Sequence, residues 1–178
     1  MHPAKSSSSI FRDLTDYFNK QIGIICTELA TLPEHIKCVV FFDDILGTGS
    51  QFETFVKKYQ LDKSHLNFLY IPLAAIRESV ERINTMYSNI KVYPVEFIDP
   101  SCSFFSGSSP LMNFNEKEHS AEFLSVYTNI CKKNNIKLKN SKGRGDNALT
   151  YIFHHSTPNN NLALLWYEDE NWTYLFKR

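Results

Sequence analysis

The sequence predicts an α/β protein: a mostly parallel sheet of about four to five strands flanked by helices, with an irregular C-terminal region. Three observations predict it. Apolar, partly β-branched runs at 38–42 and 67–71 are each followed by a segment whose apolar residues recur at helical spacing. The first run reaches its helix through a short turn, Gly47-Thr48-Gly49-Ser50. The chain also has 178 residues, 43% of them hydrophobic, enough to bury one good core. Strands that alternate with helices favour parallel pairing, because each crossover helix covers a face of the sheet.

The elements follow in order. Residues 1–8 form a serine-rich polar tail expected to be disordered, which leaves a single domain over 9–178. Ser9 offers a cap to a helix carrying Phe11, Leu14, Phe18, Ile22, Ile25 and Leu29, and Pro33 marks its end. A strand is expected over 37–43 and a helix over about 50–60, with Phe52, Phe55, Val56 and Tyr59 on its apolar side. A second strand covers 67–71. A helix from Ala74 to Tyr87 then presents Ile76, Val80, Ile83 and Tyr87, and residues 91–98 have strand composition. Residues 99–115, with Pro100 and Pro110, form a long loop suited to a lid or an interface. Asn115 and Glu118 begin a helix that runs to about Lys133. After a polar stretch, 148–154 reads as a buried strand.

Composition narrows the function. Nineteen basic and nineteen acidic residues give zero net charge, so a strongly basic nucleic-acid surface is not indicated. The four cysteines, Cys26, Cys38, Cys102 and Cys131, show no C-x-x-C spacing. Cys26 and Cys38 read as core positions, and reduced thiols fit a cytoplasmic protein with no zinc site. The N-terminus has no apolar leader, and no segment is long enough to span a membrane. Fourteen phenylalanines and nine tyrosines leave aromatic surface for a protein interface.

The segment from Cys38 to Gln51 carries the chemistry. An apolar strand ends in two carboxylates, Asp43 and Asp44, and a glycine-bracketed turn opens a helix. In open α/β sheets, ligands bind beyond the carboxyl ends of the strands, and helix N-termini attract anions. An ionised carboxylate is acceptor-only and suits a vicinal diol, while glycine lets backbone amides approach a phosphate. Two readings without a sugar phosphate compete. Ser50 and Glu53 have the spacing of a capping box, which would stabilise an ordinary strand-turn-helix. A Walker B strand also ends in acidic residues, but no G-x-x-x-x-G-K-[ST] sequence accompanies it.

The acidic pair followed by Ile45-Leu46-Gly47-Thr48-Gly49 resembles the ribose-5-phosphate loop of the phosphoribosyltransferase family. The resemblance implies that Asp43 and Asp44 hold the ribose hydroxyls, and that Gly47, Thr48, Gly49, Ser50 and Gln51 wrap the 5′-phosphate. Further on, Tyr151-Ile152-Phe153 leads into His154-His155-Ser156-Thr157-Pro158-Asn159-Asn160-Asn161. The two motifs in this order look like a bacterial phosphoribosyltransferase-like subgroup associated with anti-phage conflict systems, some retron-linked. His155, at a strand end, is a candidate general base near neutral pH, ahead of His154. Asn159 and Asn160 are read as shaping a turn, and Arg144 as a loop arginine able to reach a phosphate.

Members of the phosphoribosyltransferase family carry an earlier strand and a pyrophosphate loop upstream of the ribose-phosphate loop. Here one helix and a polar tail precede Cys38. The resemblance therefore implies a shortened fold, a missing N-terminal half, or a site completed by a protein partner or a second copy. The expected ligand is a ribose 5-phosphate moiety, in phosphoribosyl pyrophosphate or a nucleotide. Mg²⁺ is expected on the ligand's own oxygens and not in an all-protein cage. Glycosyl transfer or N-glycosidic cleavage is the enzymatic expectation; a non-catalytic nucleotide-sensing or assembly module is the alternative.

Overall fold

The computed structural model describes residues 32–109, 117–137, 139, 141–154 and 156–176. The expected tail, the helix from Ser9 to Leu29, Cys26 and the candidate base His155 lie outside them. The described residues fall into two compact units divided between Phe97 and Ile98.

The first unit is the expected α/β sheet. Its elements are β1 (Cys38–Leu46), α1 (Ser50–Tyr59), β2 (Asn67–Ala75), α2 (Arg77–Met86), β3 (Ile90–Val92) and β4 (Glu96–Phe97). β2 is central. It pairs in parallel with β1 along one edge and, in parallel, with β3 and then β4 along the other. The expected single strand over 91–98 is split because Pro94 has no N–H to give the ladder. The neighbours keep the pairing: Tyr93 N–H donates to Tyr70 O at 2.9 Å, and Val95 N–H to Pro72 O at 3.0 Å.

Two strand ends differ from expectation, and both differences shape the site. β2 runs on to Ala75, where 74–75 were expected to begin a helix, because Leu46 lies in register beside Ala75. β1 runs three residues past Asp43, so the acidic pair sits inside the strand. In register, Phe41 faces Tyr70 and Asp43 faces Pro72. The aromatic side of the core is layered. Phe52 of α1 stacks on Tyr70 with centroids 4.0 Å apart, and Phe41 stacks on Phe68 at 5.7 Å. Val56, Ile83 and Ile90 are fully buried in the same cluster. Cys38, read as core, is exposed at the start of the strand.

The second unit is less regular, as expected. Its helix α3 (Lys117–Lys133) contributes Tyr127 and Cys131 to a cluster with Ile136, Ala148, Leu162 and Ala163, the last opening the short helix α4 (Ala163–Trp166). The described part of the 99–115 loop packs within this unit: Phe104 N–H donates to Ala148 O, and Thr150 N–H to Cys102 O. The strand expected over 148–154 is reduced to isolated bridges, Ser103 with Leu149 and Leu149 with Asn161. A side chain does the rest. Asn161, fully buried, accepts from Tyr151 N–H at 2.6 Å and donates to Tyr151 O at 2.7 Å and to Pro158 O at 2.9 Å. Its amide thus occupies the place of a neighbouring strand.

The Asn-rich turn also clasps the polar loop before it. Asn160 donates to Arg144 O and Asn147 Oδ1, both at 3.0 Å, and Arg144 N–H donates to Asn159 O. Only glycine fits at 143: φ is +78°, and a Cβ there would lie 2.3 Å from Asn160 O. Turn shaping, expected of Asn159 and Asn160, is carried by the side chains of Asn160 and Asn161 and by the backbone of Asn159.

Candidate ribose-phosphate site

The site begins in β1. Strand alternation places Asp43 on the aromatic side of the sheet, and the Asp44 carboxyl lies close enough to interact with it. Asp43 is engaged at both oxygens. Oδ2 accepts the Tyr70 hydroxyl at 2.8 Å, and Oδ1 accepts Asp44 N–H at 3.0 Å. Asp44 Oδ1 in turn accepts Ile45 N–H at 2.8 Å. A carboxylate offers about four acceptor positions, so these bonds leave capacity on Asp43 for a ligand hydroxyl. Burial pushes the Asp43 carboxyl up from 3.8 to about 6, with the neighbouring Asp44 side chain adding to the effect; the bonds from the Tyr70 hydroxyl and the Asp44 backbone N–H oppose it. The same pairing, together with burial, raises Tyr70 well above the usual phenol range, so the hydroxyl remains the donor.

Beyond β1, the turn Gly47-Thr48-Gly49 delivers the chain into α1. Gly49 is the N-cap, with φ +77° and no side-chain cap bond. A Cβ at Gly49 would meet Arg82 Nη2 at 2.7 Å and Ile83 Cδ1 at 3.3 Å, so the turn needs glycine for its conformation and for the approach of α2. The capping box that Ser50 and Glu53 spell is not formed. Ser50 is the first helical residue, its hydroxyl 3.1 Å from that of Thr48. Glu53 turns to Arg82, accepting Nη2 at 2.8 Å and Nε at 3.1 Å. Gln51 is exposed in the first turn of α1.

Asp43, Asp44, Gly47, Thr48, Gly49, Ser50 and Gln51 are thus brought together at the carboxyl end of β1. In the second unit, His154 and Arg144 are exposed. Three residues of the site escaped sequence reading: Tyr70, Ser79 and Arg82. Tyr70 carried a faint signal, as the one hydroxyl in the run Asn67–Ile71. Ser79 and Arg82 carried none, since the apolar positions of α2 drew attention to Ile76, Val80 and Ile83. Among the described residues, no group of three or more His, Cys, Asp or Glu side chains is gathered to hold a metal ion. No described helix is long and apolar enough to cross a membrane.

A parallel sheet whose first described strand carries an acidic pair and feeds a glycine turn into a helix N-terminus defines a phosphoribosyltransferase-like protein. The PRTase-CE family model matches residues 1–178, and the chain belongs to that family. No curated protein and no solved structure matches the chain significantly.

Proposed function

We propose that the protein binds a ribose 5-phosphate moiety at the end of β1, with the sugar hydroxyls on Asp43 and Asp44 and the phosphate on the backbone of Gly47–Gln51. The observation that supports this most is the partly buried Asp43 carboxyl. Held by Tyr70 at the base of a glycine turn, it is costly to the empty protein when ionised, and hydroxyl donors or a cation at the site offset that cost. Phosphoribosyl pyrophosphate and nucleotides both carry the moiety.

In a reaction at the anomeric carbon, the chain's part is to fix the sugar by its diol and phosphate and to place negative charge near a developing oxocarbenium ion. His155 is retained as the proposed base. Two adjacent carboxylates suit a Mg²⁺ ion shared with ligand oxygens, which would supply charge neutralisation for a departing pyrophosphate. The second motif's resemblance extends the proposal to a component of a bacterial defence system, acting in the cytoplasm with a partner chain or a second copy completing the site.

One observation favours the alternative of a nucleotide-sensing module. Both Asp43 oxygens already serve the fold, so the carboxyl works as an anchor of the strand end as well as a ligand acceptor. Thermal unfolding tests the binding claim common to both readings. Millimolar ribose 5-phosphate or phosphoribosyl pyrophosphate with Mg²⁺ raises the midpoint by several degrees, and Asp44→Asn reduces the rise. A midpoint unmoved by either compound contradicts the proposal. Turnover of phosphoribosyl pyrophosphate or nucleotides by the stabilised protein then separates enzyme from sensor.

A further inference from the structure

The phosphate turn is held from behind by α2. Three successive carbonyls are tied to residues spaced three apart: Leu46 O accepts Ile76 N–H at 3.0 Å, Gly47 O accepts Ser79 Oγ at 2.6 Å, and Thr48 O accepts Arg82 Nη2 at 2.6 Å. In a planar trans peptide, the C=O of one residue and the N–H of the next point in opposite directions. Each tie therefore turns an amide away from α2: those of Gly47, Thr48 and Gly49 in succession. Consecutive N–H groups turned outward form an anion-binding concavity. Arg82 is itself set by its two bonds to Glu53, and Ser79 is buried, so both ties are in place before any ligand arrives.

From this we infer that Ser79 and Arg82 are positioning residues for the phosphate subsite, which they pre-organise by fixing the carbonyls of Gly47 and Thr48. The inference rests on the ribose-phosphate reading above. Neither side chain need touch the ligand. Arg82 Nε and Nη2 are engaged by Glu53 and Thr48 O, so the contribution inferred for the side chain is to set the turn.

The test uses ribose 5-phosphate as the probe, with affinity from calorimetry and the protonation of the bound phosphate from its ³¹P resonance. Amides aimed at the phosphate favour its dianion, so in the unchanged protein the bound phosphate titrates below the free value of about 6. Ser79→Ala and Arg82→Met weaken binding about tenfold or more and return the titration toward the free value. Ser79→Thr, which keeps the hydroxyl, restores affinity to within about threefold of the unchanged protein. Arg82 is partly exposed, so Arg82→Met provides a second variant if Ser79→Ala folds poorly. Variants that keep both affinity and titration overturn the positioning role and leave the binding site standing. An unchanged protein that does not bind ribose 5-phosphate overturns both together.

Discussion

Replacing Asp43 with asparagine should stabilise the empty protein at neutral pH while weakening the proposed binding of ribose 5-phosphate. The carboxyl titrates at about 6 in the fold against 3.8 when free, because burial and the Asp44 charge disfavour the anion. The sign follows from proton uptake. Between 3.8 and about 6 the folded state holds a proton that the unfolded state has lost, so stability falls as pH rises through this window. Below it the cost is absent; above it the cost is complete, about 3 kcal/mol for that interval. Asparagine carries no such cost and still accepts from Tyr70, although its single oxygen weakens the bond to Asp44 N–H, worth about 1 kcal/mol. Urea unfolding should therefore show Asp43→Asn more stable than the unchanged protein by about 1–2 kcal/mol at pH 7.5, with no advantage at pH 4.5. Binding of ribose 5-phosphate should weaken at least tenfold in the variant. In the unchanged protein, binding should weaken below pH 6, where the carboxyl is protonated. An Asp43→Asn variant that is less stable at pH 7.5 would mean that the carboxylate is a structural ion and not a site kept at a cost.

The largest loss of stability is expected at Asn161. Its fully buried amide bonds both backbone groups of Tyr151 and the carbonyl of Pro158. Asn161→Ala leaves the N–H and C=O of Tyr151 without these bonds, whereas Pro158 O keeps the Asn161 backbone N–H at 3.1 Å. At about 1–3 kcal/mol for each unsatisfied group, partly relieved by entering water, the net loss is about 2–4 kcal/mol. Asn159→Ala is the control, since the contribution of Asn159 is its backbone carbonyl, and the change should stay within about 0.5 kcal/mol. Denaturant unfolding of the two variants measures the difference. Equal, small losses would show that water or a rearranged turn replaces the Asn161 amide at little cost.

These expectations also show what the sequence made legible. Apolar runs and helical spacing were enough to place β1, α1, β2 and α2, because each is set by its own local period and ending, and a capping pattern at Asn115 and Glu118 pointed to α3. Lengths were less visible. β1 and β2 extend each other by pairing Leu46 with Ala75, a contact between residues 29 apart that no local pattern announces. The strand expected at 148–154 has the apolar composition of a strand, but the hydrogen bonds of Tyr151 come from the Asn161 side chain and not from a neighbouring strand. At the candidate site, the turn after β1 was legible because glycines and adjacent carboxylates are rare in such a pattern. Its support was not: a serine and an arginine on the flank of an amphipathic helix look like solvated positions until the fold brings them under Gly47 and Thr48.

The central claim is that the turn after β1 receives the phosphate of a ribose 5-phosphate. Titrating ¹⁵N-labelled protein with ribose 5-phosphate and following the backbone amides tests it most directly. Saturable shifts are expected at Gly47, Thr48, Gly49, Ser50 and Gln51, reproduced more weakly by inorganic phosphate and absent with unphosphorylated ribose. Saturable shifts elsewhere with this turn unmoved, or no shifts at millimolar ligand, would contradict it.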